Sequence, residues 1–512
     1  MKVQALGHAG LMVEYKGDVV LMDPWFSLEG NFQASWFQYP DNSHLLKRKE
    51  LFSPTAILIS HEHMDHCDPW FLSQVEKHVP VIIPKYPSPI LKEKILQGGK
   101  REIIEYEEWE EFNVTPNIKA FFVSEPPMNH DSAIVIRAGR KTLLNMNDAR
   151  LFPMQLKDIK VKVGGHIDLF AFQGSGASWF PMVYNFSDQR IQELREQKRK
   201  AKFNYCLKAM KIVEPTMGMP FAGPPCFLDS ELFPINRELT DGIFPDQSQV
   251  NDFLKSKGVE NVLLMFPGDE WNIEEEEHIK DHIWDDFDFQ NRVNYIKGYK
   301  ARREKYIKAV YDRHPHPTNS LWNDFKEYFE RVLKLNQYFN EKINMKLGFE
   351  ITGPGGGNWY VDFRKETRGV GEGIDDFGYC YTFESRWLPP ILKGEVPWED
   401  FFLSLRFKAK RNPDVYNDHL LGLLKFTNSE ALKAVEDFEN QPLSEELIKV
   451  HSEGKTYMVS RYCPHAGNDM LETGEVVEGG YFRCLAHHYD FSLETGECVT
   501  SSCPKLKVKR ID

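Results

Sequence analysis

His61, His63 and His66 share six positions with Asp65, and the residues on either side of them narrow what this segment can be. Residues 56–60 form a short apolar, β-branched run that predicts a buried strand. Asp68-Pro69-Trp70 then supplies a helix-capping carboxylate followed by proline at the first helical position, with apolar residues at helical spacing beyond it. The cluster therefore belongs on a strand-to-helix loop at the carboxyl end of a strand, where open α/β sheets place their ligand sites. Imidazole with carboxylate suits zinc, iron or manganese, and the spacing does not choose among them.

The chain around this loop reads as one α/β unit. Residues 3–6, 11–15 and 19–22 predict short strands joined by turns at Gly7-His8-Ala9-Gly10 and Lys16-Gly17-Asp18. Strands are also predicted at 79–83, 120–123, 133–137 and 141–146. His130, in Met128-Asn129-His130-Asp131-Ser132, and Asp148 both fall just beyond strand ends.

Gly7-His8-Ala9-Gly10, Leu21-Met22-Asp23-Pro24-Trp25-Phe26, the run at 61–66, His130 and Asp148 together resemble the metallo-β-lactamase fold, in the branch related to ascorbate-phosphate lactonase. The resemblance implies an αββα architecture over residues 1–235. It assigns His61, His63 and His130 to one metal and Asp65 and His66 to a second. Asp148 bridges the two, and Asp65 and Asp148 are the expected catalytic carboxylates. The pattern's late histidine is absent, because residues 214–223 hold none. The second metal is then missing, weakly held, or completed by another residue. His8 is a candidate for that role and equally a structural turn residue; His166 reads as structural.

Residues 236–425 predict a helical and α+β middle region. Residues 188–212 before it read as one amphipathic helix. Glu274–Glu277 is expected to open a charged helical stretch running to residue 346, helix-start preference explaining the carboxylates better than a metal does. Gly353-Pro354-Gly355-Gly356-Gly357 lacks the Lys-Ser/Thr of a phosphate loop and predicts a hairpin turn. Residues 321–410 weakly resemble a sterol-carrier-like module, from which no ligand follows.

The last segment, 426–512, carries Cys463-x-His465 and, after 18 residues, Cys484-x-x-His487. Two thiolates and two imidazoles can hold one zinc. They can equally hold a Rieske [2Fe–2S] centre, which takes one Cys and one His from each of two loops. Residues 456–460 and 489–498 resemble the strands and Thr-Gly turn of Rieske ferredoxin domains. That resemblance implies Cys463 and Cys484 on one iron, His465 and His487 on the other, and His488 off the cluster. Cys498 and Cys503 read as inert thiols.

The net charge of −13, with no long Lys/Arg block, disfavours a nucleic-acid or anionic-membrane partner. No apolar run reaches the ~18 residues of a membrane span, and the cytoplasm is the expected location. A hydrolytic metal lowers the pKa of bound water and needs no electrons. A Rieske cluster, at roughly −150 to +300 mV, suits delivery of single electrons to an iron–oxygen centre. The expectation is therefore an iron-dependent oxygenase using O₂ at one or two Fe, with Zn or Mn as other occupants. Its partners are a small-molecule substrate and an external donor (ferredoxin, reductase or b-type cytochrome). Monomer and homo-oligomer are both open. The alternative is a metal-dependent hydrolase with a regulatory or structural iron–sulfur domain. An electron-transfer or O₂/NO reductase module is a third reading. The combination is similar to the CMP-N-acetylneuraminate hydroxylase family, a resemblance that extends to residues 220–223 and 398–406, although there the Rieske domain is expected first. It implies a nucleotide-sugar-like or amino-containing substrate.

Overall fold

The computed structural model describes residues 1–176, 178–239, 242–442, 444–485 and 489–511. Its first body is two sheets packed face to face. An eight-stranded sheet runs in the order Glu277–Ile279, Glu270–Asn272, Lys2–Gly7, Gly10–Tyr15, Asp18–Met22, Ala56–Leu58, Val81–Pro84, Ile103–Tyr106. The first three chain strands pair antiparallel, and the last three join in parallel. The six-stranded sheet holds Met217–Phe221, Leu169–Gln173, Lys141–Asn145, Ser132–Ala138, Ile118–Ser124 and Phe112–Asn113.

Alternation along these strands sends one set of side chains, among them Val3, Leu58, Phe122 and Ile136, into the core between the sheets. The opposite faces are covered by helices. Pro69–Gln74 and Ile90–Gln97 cover the larger sheet; Pro153–Lys162, Asp188–Val213 and Gln247–Ser256 cover the smaller. This is the αββα arrangement, and both metal-type loops leave strand ends at one edge of it.

The middle of the chain builds a five-stranded sheet, Gly369–Glu372, Gly357–Asp362, Lys346–Thr352, Tyr379–Glu384 and Lys408–Arg411, around an aromatic core that includes Phe325, Trp359, Trp398 and Phe402. The glycine-rich segment at 353–357 is the predicted hairpin turn. Glu274–Glu277 departs from the expected helix. Glu274–Glu276 form the turn of a hairpin whose first strand pairs with Lys2–Gly7, Val3 opposite Trp271, and whose Trp271 and Ile273 fill the inter-sheet core. The carboxylates crown an exposed turn, and the first α-helix after it is Arg292–Arg313.

Residues beyond Phe426 form two three-stranded sheets, Leu447–Ser452, Lys455–Ser460 and Val508–Arg510, and Gly474–Val477, Tyr481–Cys484 and Tyr489–Ser492. Two helices, Asp418–Phe426 and Ser429–Glu439, precede this small β domain, and the first of them is short. Asn417 caps that first helix through the Leu420 amide, and almost every residue along it is buried.

Candidate metal centre

The loop after Ala56–Leu58 is shaped by carboxylates that touch no metal. Asp23 accepts hydrogen bonds from the Ser60 amide (2.8 Å) and hydroxyl (2.5 Å) and lies 2.8 Å from His66 Nδ1. Ser60 Oγ is 2.9 Å from His61 Nδ1. Engaging Nδ1 on both rings turns their Nε2 atoms inward as ligand atoms. Asp68 accepts from Phe71 N, as its capping role predicts, and from Phe26 N and Ser27 N, which ties the strand-end loop to the helix. His8, Asp23 and Asn147 all adopt left-handed backbone conformations (φ 44°, 43° and 48°), a sparsely populated region in which residues concentrate at functional sites.

Two groups of three donors result, each with its ligand atoms within 4.8 Å of one another: His61, His63 and Asp131, and His8, His66 and Asp148. In the first, His61 Nε2 is 2.9 Å from His63 Nδ1 and 3.5 Å from Asp131 Oδ1. In the second, His66 Nε2 is 3.4 Å from Asp148 Oδ1. Asp65 Oδ2 reaches His8 Nε2 at 2.8 Å and His66 Nε2 at 3.8 Å. His8 Nε2, Asp65 Oδ1, His66 Nε2 and Asp148 Oδ1 are buried without a hydrogen bond of proper geometry. Convergent, buried, unsatisfied donors are what a bound cation would satisfy, and the residues fit one.

The structure thus gathers His61, His63, Asp65, His66 and Asp148. His130 belongs to neither group. Its ring stacks on Tyr86 (4.5 Å, 5°) and against Phe426 (4.6 Å), and its Nδ1 lies 3.5 Å from Glu62. The neighbouring Asp131 stands with His61 and His63 instead. His8 stands in the group that lacked a late histidine.

The middle region walls this site. Glu399 lies 3.2 Å from His63 Nε2, and Lys425 lies 3.0 Å from Glu399 and 3.7 Å from Glu62. Burial alone would raise both carboxyls. The charges of His130 and Lys425 hold Glu62 well below the usual range, and Lys425 with His63 holds Glu399 at about 2. Burial likewise opposes a charged His63, but Glu399 outweighs it and places that imidazole at about 9. Burial, then the neighbouring His66 and His63, push His61 down. Burial with nearby Glu125 lifts Asp131 to about 7.

A metal must displace the proton of His63, so loading of the metal-free protein is expected to strengthen with pH by about tenfold per unit from this group alone until pH reaches about 9. Metal titration against a chromophoric chelator at pH 6.5 and 8.5 measures it. The raised pKa also has a sign for stability. In the metal-free protein, the contribution of His63 is full below its unfolded value near 6.5 and is lost as pH rises through 9.

The second centre lies in the small β domain. Cys463 and Cys484 are fully buried side by side, and the Cys484 thiol beside Cys463, together with burial, pushes the Cys463 thiol far up. Asn468 Nδ2 donates to Cys484 Sγ at 3.4 Å, and the amides of His465 and Ala466 face Cys463. Paired buried thiols ringed by N–H donors fit an iron–sulfur cluster. His465 packs edge-on to Tyr489 (5.0 Å) with Nε2 3.9 Å from Asp418. His487 and His488 lie outside the described residues. All eight cysteines are free, Cys498 and Cys503 among them.

Residues 19–189 match the model of the Beta-lactamase superfamily domain, and residues 425–510 match that of the Rieske [2Fe-2S] domain. The two sheets and the paired loops therefore define a class of protein in which a metallo-β-lactamase-fold domain is covalently joined to a Rieske domain. A Rieske 2Fe-2S iron-sulfur protein of Mycolicibacterium smegmatis is 30% identical over 532 residues, covering 100% of both chains, and the chain belongs to its family. Cytidine monophosphate-N-acetylneuraminic acid hydroxylase of Pongo pygmaeus is 22% identical over 454 residues, 81% of this chain and 71% of that one. Among solved structures, CmlA, a diiron β-hydroxylase from Streptomyces venezuelae, matches with a TM-score of 0.35 and 16% identity over 55% of this chain and 54% of its own. Hydrolases match at comparable scores. Among the described residues, no helix is long and apolar enough to cross a membrane.

Proposed function

We propose that the protein is a Rieske-coupled, iron-dependent monooxygenase. The observation that carries this reading is the Rieske domain joined to a site of two donor groups, each two histidines and one carboxylate, His61/His63/Asp131 and His8/His66/Asp148. That donor set serves non-haem iron oxygenases and zinc hydrolases alike, and the attached one-electron carrier favours iron. Iron held there would supply O₂ activation, and the cluster would supply single electrons. Asp65, which reaches His8 and His66, is proposed to serve the second group, with Asp148 bridging the two.

The chain's own residues hold the geometry and the charge. Asp23 and Ser60 fix the His66 and His61 tautomers. Lys425 keeps Glu62 and Glu399 ionised, and those carboxylates orient His130 and His63. Tyr86 and Phe426 pack on the His130 ring, and Trp25 packs edge-on to His8. The free cysteines fit a reducing compartment, and the cytoplasm is the proposed location.

The similarity to a CMP-N-acetylneuraminic acid hydroxylase supports a nucleotide-sugar-like substrate. Hydroxylation consumes one O₂, two electrons and two protons per C–H converted to C–OH, with one water released. Iron-loaded protein supplied with a one-electron donor and CMP-N-acetylneuraminate or amino-containing small molecules is expected to take up O₂ in step with hydroxylated product. Turnover by zinc-loaded protein, without O₂ or reductant, would establish the hydrolase instead.

A further inference from the structure

His465 does not face open solvent alone. It lines a small cavity together with Met128 and Asn129, residues of the loop that ends in His130 and Asp131, and with Glu439 of the Ser429–Glu439 helix. The loop that carries Cys463 and His465 therefore meets the loop that carries a metal-group carboxylate, with one cavity between them. A second feature fixes their separation. Asp418, at the first turn of the Asp418–Phe426 helix, accepts hydrogen bonds from Tyr489 Oη (2.5 Å) and Ser501 Oγ (2.6 Å) of the Rieske domain and lies 3.9 Å from His465 Nε2. At its last turn, Lys425 reaches Glu62 and Glu399, and Phe426 packs on His130. Eight residue steps of α-helix span about 12 Å. One buried helix is thus clamped to both sites, at opposite ends.

We infer that electrons pass from the cluster to the His61/His63/Asp131 group within a single chain, across the seam between His465 and residues 128–131, with Asp418 as the residue that positions His465 against it. The direction of flow rests on the oxygenase reading; the seam does not. The step is a one-electron transfer in which the reduced cluster is oxidised by one and the metal is reduced by one, an external one-electron donor then re-reducing the cluster. No proton or bond is exchanged at the seam.

The test uses the full-length protein carrying Co(II) at the histidine groups, with Zn(II) as the diamagnetic reference, and reads spin relaxation of the reduced cluster by EPR. Fast-relaxing Co(II) is expected to shorten the cluster's relaxation, Zn(II) to leave it unchanged, and the effect to persist when the Co(II)-bearing chains are diluted into an excess of Zn(II)-loaded Cys463→Ala chains. Absence of the effect, or its loss on dilution, overturns the intrachain route. Mixing Cys463→Ala with His63→Ala chains is expected to restore no O₂ uptake; restored uptake overturns it as well. Asp418→Asn is expected to retain the cluster's g-values while slowing its reoxidation after anaerobic reduction and mixing with O₂; unchanged reoxidation removes the positioning role. If wild-type protein takes up no O₂ while the Co(II) effect remains, the oxygenase reading fails and the seam stands.

Discussion

Lys425→Ala is expected to destabilise the protein by about 3–5 kcal/mol, the cost of leaving buried charge without its partner. Lys425 is 8% exposed and is the cation between two carboxylates, Glu62 at 3.7 Å and Glu399 at 3.0 Å. Removing it leaves Glu62, itself 3% exposed, with His130 alone, at 3.5 Å, and Glu399 with His63 alone, at 3.2 Å. Lys425→Met, which keeps the aliphatic stem, is expected to lose nearly as much, because the loss is electrostatic. Adding Glu399→Gln to Lys425→Met is expected to recover part of it by deleting one of the stranded charges. The urea midpoint of the metal-free chain reports all three. Lys433→Ala, at an exposed pair with Asp437, is the matched control and should leave the midpoint unchanged. Equal shifts for Lys425→Ala and Lys433→Ala would show that the Lys425 network contributes nothing.

What the sequence made legible was local. The strand, histidine loop and capped helix of residues 56–74 follow from periodicity and one carboxylate, and Asp68 does accept from Phe71 N. The amphipathic pattern at 188–212 becomes the Asp188–Val213 helix, ended by Glu214 in the left-handed conformation. The hairpin at 270–279 departs from the helix expected at Glu274–Glu277 because its conformation is set by pairing with residues 2–4, far away in sequence, and a short acidic run carries no trace of that partner. Glu399 and Lys425 were illegible for the same reason. Both lie on short helices whose other faces bury Trp398, Phe401, Leu420 and Leu424 in the middle body's core, so the sequence pattern describes the packing and is silent about what the polar side reaches. His8 was visible as a turn residue. Its placement beside Asp65 depends on the turn geometry, with Gly7 at φ 100° and His8 itself left-handed, that swings it toward a loop more than fifty residues downstream.

The sharpest consequence concerns neighbours in sequence. His130 and Asp131 are adjacent in the loop that leads into the Ser132–Ala138 strand, and the course of that loop decides which of them faces His61 and His63. The family resemblance assigns the ligand to His130; the geometry brings Asp131. Asp131→Ala is therefore expected to empty the His61/His63 group, lowering metal content by one equivalent per chain. His130→Ala removes an outer partner that stacks on Tyr86 and faces Glu62, and should weaken metal affinity by no more than about 10–100-fold while leaving the stoichiometry intact. Measuring both in a Cys463→Ala background removes cluster iron from the count. Asp131→Asn adds a control, since it keeps the shape but loses the charge and should behave like alanine. If His130→Ala loses the equivalent and Asp131→Ala keeps it, the first group is three histidines. The two-histidine, one-carboxylate set is then confined to the His8/His66/Asp148 group, which keeps its carboxylate whichever residue serves the other.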